Sequence, residues 1–167
     1  MKPGALKRMS GHELLQLFCW TLEELRGREM VSSTNNPVGD FTEKIVINAL
    51  GLKGTRKSNA GHDATDSRGK RYQIKGRRIT SHNPSRQLSF MRELESRPFD
   101  HLVGVLFDAD FSVLRAAKIP FRVVRERARY SVHTKAHRFW LVDEVWQLNG
   151  VEDITRAIIK EANRLSK

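Results

Sequence analysis

The chain has 167 residues, 39% of them hydrophobic, and its 30 Lys and Arg against 19 Asp and Glu give a net charge of +11. That length predicts a single domain over residues 1–167. The chain contains no apolar run long enough to span a bilayer or to form the core of a signal peptide, which excludes a membrane protein. Its single cysteine excludes a scaffold of intrachain disulfides. A cytoplasmic setting is expected. The charge favours a polyanion, usually nucleic acid, over an inert basic surface.

The first helix is predicted at residues 10–29. Ser10 followed by Glu13 is typical of a capping box, in which each residue bonds the backbone of the other. Apolar residues then recur at helical spacing, at Leu14, Phe18, Leu22 and Leu25. Cys19 and Trp20 of the same helix are expected to lie in or near the core.

A second helix is predicted after a polar loop at residues 32–39. Asp40 is expected to cap its N-terminus, and the helix should extend to Leu50. Glu43 lies three residues after the expected cap, in line with apolar residues of the helix. Two interpretations remain open for Glu43: a capping carboxylate, or a carboxylate directed inward at a cation, because a buried charge requires a partner.

Residues 61–78 predict a β-hairpin, with a three-residue turn that ends at Gly69. Side chains on a strand alternate between its two faces, so Gln73 and Lys75 are expected on the same face. If Asp63 on the first strand faces the same way, a carboxylate, an amide and an ammonium group meet in one small patch.

Positive charge is densest around this hairpin, where residues 53–86 contain ten Lys and Arg against two acids. A second basic stretch, residues 130–138, is predicted to be a loop. Phosphate contacts from such residues position a nucleic acid without reading its sequence. The expected nucleic-acid contacts are Lys53, Arg56, Lys57, Arg77, Arg78, Arg86, Lys135 and Arg138. His133 and His137 are assigned to phosphate contact or solvation, because no helix is expected to bring them together on a metal.

The second half of the chain predicts the remaining elements. The apolar run at 101–107 indicates a strand buried on both faces, and the short connection after it makes the next strand antiparallel. The predicted elements after the hairpin are strands at 101–107, 111–119 and 139–142, a helix that begins at Pro120 and ends near Arg129, and a helix at about 151–165. The order of elements predicts a mixed α/β fold.

The hairpin patch has the donors that phosphodiester hydrolysis requires. Asp63 and Gln73 offer side-chain oxygens and Ile74 a backbone carbonyl, and Mg²⁺ prefers oxygen ligands. Lys75 is placed to orient a water molecule or to stabilise charge on a phosphate. Metal-assisted hydrolysis combines a Lewis acid, an activated water and charge stabilisation. Glu43 is a further candidate ligand.

In this order, Glu43, Asp63 and the triplet Gln73-Ile74-Lys75 resemble the PD-(D/E)xK nuclease superfamily, or restriction endonuclease-like fold. The Q-x-K form is similar to that of Mrr-like restriction enzymes. The resemblance implies an αβββαβ core at about residues 40–142, with an extra helix at each end. It also implies that Asp63 is the central metal ligand, that Gln73 occupies an acid position, that Lys75 is the motif lysine and that Glu43 is the helix acid.

The chain departs from that pattern at two positions. His62 stands where the family has proline, and Gln73 replaces Asp or Glu. The resemblance implies a Mg²⁺-dependent DNA endonuclease, with Mn²⁺ as a substitute, of the restriction or defence type, acting on double-stranded DNA and often as a homodimer. The alternatives are an inactive nuclease-fold module that binds nucleic acid, a subunit of a larger complex, and a surface hairpin in which Asp63 and Lys75 are merely paired.

Overall fold

The computed structural model describes residues 3–55 and 61–165. The chain divides into two compact units, residues 1–41 and 42–167, and the division falls inside a helix. The prediction of one domain over the whole chain stays a prediction. Among the described residues, no helix combines the length and the apolar character that crossing a membrane requires.

The first unit contains helices α1 (Pro3–Leu6) and α2 (Gly11–Gly27). The predicted capping box is confirmed: Glu13 Oε2 lies 2.6 Å from the Ser10 N–H that donates to it, and Ser10 Oγ accepts from the Glu13 N–H. Leu22 is the residue of α2 that becomes buried. The expectation for Cys19 and Trp20 is wrong, since both side chains are exposed.

Helix α3 (Pro37–Leu50) begins earlier than predicted. Proline suits a first helical position, because its missing N–H would be unpaired there in any case. The side chain of the preceding Asn36 accepts a hydrogen bond from the backbone N–H of Val38. The prediction that Asp40 caps this helix is therefore wrong. Asp40 lies within the first turn and accepts hydrogen bonds from Ser32 and Ser33.

The second unit is built on a mixed sheet. The strands of the unit are β1 (Lys53–Gly54), β2 (Ala64–Thr65), β3 (Arg71–Arg78), β4 (His101–Phe107), β5 (Val113–Pro120), β6 (Arg129–Ser131), β7 (Ala136–Arg138) and β8 (Glu152–Asp153). Within the described chain, six of them form the sheet in the order β1–β2–β3–β4–β5–β8, where β3 and β4 are parallel and the other neighbours antiparallel. The mixed α/β class is confirmed, as are the buried β4 and its antiparallel partner β5.

One face of this sheet is covered by a layer of extended chain that contains Leu88 and Leu141. The register places Lys75 beside Gly104, so both face this layer. A Cβ on Gly104 would lie 2.7 Å from a methyl of Leu141 and 3.2 Å from one of Leu88. Glycine at this position lets the layer approach the sheet closely. Leu88 and Leu141 belong to a buried apolar cluster together with Leu102 and other residues of β4 and β5.

Residues 129–138 form a small separate hairpin, β6–β7, where a loop was predicted. The loop prediction is therefore wrong, and so is the strand at 139–142. Pairing occurs instead at β7, and Trp140 makes only an isolated bridge to Gln87. The two strands are three residues long and pair with each other. The other edge of β7 bonds a distant segment through Met91 and His137, a support that local sequence does not reveal.

Two α-helices and two short 3₁₀ turns complete the second unit as described. They are α4 (Phe121–Arg127), α5 (Thr155–Leu165), and the 3₁₀ turns Leu94–Ser96 and Asp143–Gln147. The predicted last helix begins later than expected, because Glu152–Asp153 pairs with β5 as an edge strand. The connection from β3 to β4, all of it described, has one 3₁₀ turn as its helical element.

Candidate functional site

The turn between β2 and β3 is held by Asp66. Its carboxylate accepts hydrogen bonds from the N–H groups of Arg68 and Lys70 at 2.9 Å each, and from the Tyr72 hydroxyl at 3.2 Å. Gly69 has a φ of 76°, in the left-handed region that glycine adopts without strain. The predicted hairpin turn is confirmed. Asp66 is a structural residue that the sequence did not single out, although an aspartate before a glycine turn is a known turn signal.

Asp63 and Gln73 meet on one face of this hairpin. The Gln73 Nε2 group donates a hydrogen bond to Asp63 Oδ2. The backbone N–H of Ile74 donates to the same oxygen at 2.6 Å. Gln73 is buried at 9% exposure, and Asp63 is half-buried. The expectation that the Asp63 carboxylate and the Gln73 amide converge is confirmed.

Burial controls the electrostatics of Asp63. Loss of solvation raises the pKa of this carboxyl above its ordinary value. The hydrogen bond from Ile74, the positive charge of Lys75, the hydrogen bond from Gln73 and the charge of His62 each act in the opposite direction, and burial outweighs them. A carboxylate held at such a cost gains from any further cation that reaches it.

Lys75 is half-buried and lies two residues after Gln73 on the same face of β3. It acts on Asp63 through its charge, and no ion pair within contact distance joins these two residues. The simple alternative of an Asp63–Lys75 salt bridge is therefore not what the described side chains form. Lys75 retains an ammonium group beside the carboxylate without being tied to it.

Glu43 lies in the first half of α3 and is half-buried. Among the described residues, no group of three or more His, Cys, Asp or Glu side chains is arranged to hold a metal ion. The structure brings together Asp63, Gln73 and Lys75.

The chemistry of the donor set fits a hard divalent cation such as Mg²⁺. A carboxylate, an amide and the Ile74 carbonyl are oxygen donors of the kind that Mg²⁺ accepts while it keeps several waters. One oxygen of Asp63 already accepts two hydrogen bonds, and Gln73 presents nitrogen, not oxygen, to that carboxylate. Gln73 can therefore ligate beside Asp63 only after its amide group turns over.

Several of the predicted phosphate contacts are bonded to the protein itself. Arg77 donates to the Ser85 carbonyl at 2.8 Å and to the Asn83 side chain at 2.6 Å. Arg78 donates to the Ala109 carbonyl, and Arg86 pairs with Asp143 at 2.9 Å. These arginines stabilise loops around the sheet, which restricts the geometry with which they can meet a phosphate.

The remaining predicted nucleic-acid contacts differ in how far their side chains are exposed. Lys53 on β1 and Lys135 in the β6–β7 turn are exposed, and neither side chain takes part in a hydrogen bond or ion pair within the described chain. Arg56 and Lys57 lie outside the described residues. Arg138 is half-buried on β7, where its guanidinium lies 5.8 Å from the centre of the Phe90 ring.

No model of a known protein family matches this chain, and no functionally described protein is similar enough to count as a match. An assignment of function therefore depends on the side chains of the site and on the charge around them.

Proposed function

We propose that this chain is a metal-dependent DNA endonuclease of the PD-(D/E)xK kind, acting in restriction or defence, with Mg²⁺ as its ion and Mn²⁺ as a substitute. The observation that carries the proposal is the hydrogen-bonded pair of Asp63 and Gln73, with the Lys75 charge beside it on one sheet face. The first part of the element order supports it as well, since a helix precedes a hairpin and two further strands, whereas the strand expected at 139–142 does not form. The net charge of +11 suits a DNA substrate.

Each residue has a role that follows from its chemistry. Asp63 holds the ion, and the raised pKa of its carboxyl reflects a charge that lacks full compensation in the protein alone. Gln73 positions the Asp63 carboxylate and offers a neutral oxygen ligand. Lys75 stabilises negative charge on the phosphate at the point of cleavage. When bound, Mg²⁺ supplies a Lewis acid and lowers the pKa of a coordinated water. Glu43 is assigned as the helix acid of the site.

The test is cleavage of plasmid DNA with and without Mg²⁺ or Mn²⁺. Asp63→Ala and Lys75→Met are expected to abolish nicking while DNA binding is retained. Lys118→Met is the matched control, since Lys118 is also half-buried on a strand of the sheet but faces the opposite side, where it pairs with Glu152. Undiminished cleavage by either site variant, or equal loss in the Lys118 variant, contradicts the assignment.

A second candidate function is an inactive nuclease-fold module that binds nucleic acid. It is favoured by the Gln73 nitrogen that faces Asp63, and by the missing group of acidic ligands among the described side chains. Titration with Mn²⁺ separates the candidates. If no ion binds and no plasmid is nicked, while binding to DNA weakens steeply with salt, the chain is such a module.

A further inference from the structure

The segment 87–91 and the hairpin β6–β7 together form a three-stranded ribbon. Met91 and His137 exchange backbone hydrogen bonds at 3.0 and 2.8 Å, and Arg138 pairs with Arg129 across the hairpin. Phe139 and Leu141 are fully buried, so the alternating side chains of Arg138 and Trp140 point to the opposite, outer side. The inner side of this ribbon is the layer that covers the Lys75 face of the sheet.

The outer side carries two aromatic rings, each beside an arginine. The Arg138 guanidinium lies 5.8 Å from the centre of the Phe90 ring, and that of Arg129 lies 6.0 Å from Trp140. Phe90 is 44% exposed and Arg129 is also exposed. We call Phe90, Arg129, Arg138 and Trp140 the aromatic–arginine face. Arg138 is fixed there by a hydrogen bond of 2.7 Å to Ser131.

Charge around this face favours an anionic partner. Residues 125–138 contain five Lys and Arg against one acid. Proteins that bind single strands combine such positive charge with exposed rings on which bases stack, and arginine planes add cation–π attraction. An exposed aromatic ring gives no comparable advantage with a duplex, because the base faces there are already stacked on each other.

We propose that the aromatic–arginine face binds single-stranded DNA, with unpaired bases stacked on Phe90 and against the Arg129 plane. This rests on the proposed function and adds a substrate class to it: DNA with an unpaired segment, such as a branch or a flap, in place of a plain duplex. The ribbon that carries the face covers the same side of the sheet on which Lys75 lies. A strand bound on the ribbon thus shares a side of the sheet with the candidate site.

The test measures binding of a labelled single strand, and of the duplex made from it, by fluorescence anisotropy in EDTA. Phe90→Leu keeps an apolar side chain and removes the ring, and Arg129→Gln removes the charged plane. Each is expected to weaken single-strand binding about fivefold or more, as stacking energies imply, with a smaller effect on the duplex. Trp20→Leu is the control, because Trp20 is an aromatic residue 65% exposed on α2, and its binding should equal that of the wild type.

Equal losses for single strand and duplex overturn the proposal, as does an unchanged single-strand affinity in both face variants. Tighter binding of RNA than of DNA overturns the choice of DNA. Thermal unfolding followed by circular dichroism checks each variant, and the exposed Arg129 position keeps the test decisive if Phe90→Leu does not fold. Because EDTA removes the metal, cleavage does not enter this measurement. If the protein never cuts DNA but its face variants lose single-strand affinity as predicted, the nuclease assignment is wrong and this inference still holds.

Discussion

The hairpins β2–β3 and β6–β7 are both basic, yet they use their arginines in different ways. Around β2–β3, arginine side chains bond the protein: Arg71 reaches the Arg97 carbonyl and Asp100, and Arg77 reaches the Ser85 carbonyl. On β6–β7, Arg129 and Arg138 lie beside aromatic rings of an outer surface, although Arg138 also donates to Ser131. Arg78 on β3 lies 4.9 Å from the Phe111 ring but is at the same time bonded to the Ala109 carbonyl. A high density of charge in a sequence therefore does not by itself locate the surface that meets nucleic acid.

The same contrast separates chemistry from recognition. The first hairpin holds a carboxylate whose pKa is raised by burial, next to a lysine that it does not pair with. The second hairpin and its partner segment offer open rings and cations but no acid between residues 127 and 142. If both proposals hold, the first region performs the reaction and the second retains the strand.

The largest expected effect lies at Gly104, where the ribbon packs on the strand beside Lys75. Gly104→Val should lower the free energy of unfolding by about 1–3 kcal/mol, because its side chain overlaps Leu141 and Leu88 in a filled core. Gly104→Ala should cost less, since its single methyl meets the flexible end of Leu141 first. Urea unfolding measures both. A Val variant as stable as the wild type would show that the two regions are not closely packed.

An effect of intermediate size on the free energy of unfolding distinguishes arginines that hydrogen-bond the protein from arginines on the outer surface. Arg77→Ala should lower the free energy of unfolding by about 1–2 kcal/mol, because it removes charge-assisted hydrogen bonds to Ser85 and Asn83. Arg129→Ala, its counterpart on the second hairpin, should change stability by less than about 0.5 kcal/mol. Denaturant titration at one salt concentration gives both values. Equal costs would remove the contrast drawn between the hairpins.

The smallest effect is a dependence on pH. Between the ordinary aspartate pKa of 3.8 and the raised pKa in the fold, the folded state binds more protons at Asp63 than the unfolded state. The contribution of Asp63 to the free energy of unfolding of the wild type therefore decreases as pH rises from the ordinary pKa to the raised one. Asp63→Asn keeps an oxygen that accepts from Ile74 and Gln73 but carries no charge. Its stability relative to the wild type should increase from acidic to neutral pH, as thermal unfolding can measure; a difference that does not vary with pH contradicts the burial of this charge.

The sequence predicted the parts of the molecule whose signals are local. The turn at Gly69, the alternation that joins Asp63 to Gln73, the capping box at Ser10 and the buried β4 each depend on residues close together in the chain. The hydrogen-bond direction within the Asp63–Gln73 pair was not predictable, because an amide offers both a donor and an acceptor.

Features that depend on distant partners were missed. Strands β6 and β7 are three residues long, and the backbone bonds between Met91 and His137 supply support that no local pattern encodes. Asp143, the partner of Arg86, likewise comes from a distant segment that only the complete fold places beside it. Arginine and aromatic residues recur between 129 and 140, and this recurrence is the signal by which the second region could have been recognised.

The parallel pairing of β3 with β4 has a consequence for the order of folding. Tyr72 pairs with His101 across a long intervening segment, whereas Asp63 and Gln73 are ten positions apart and joined by a tight turn. Closing a short loop costs less chain entropy than closing a long one, so local hairpins form early and parallel pairs late. Asp63, Gln73 and Lys75 can therefore come together in the local hairpin before β4 pairs with β3. The rest of the sheet then forms around side chains that are already close together.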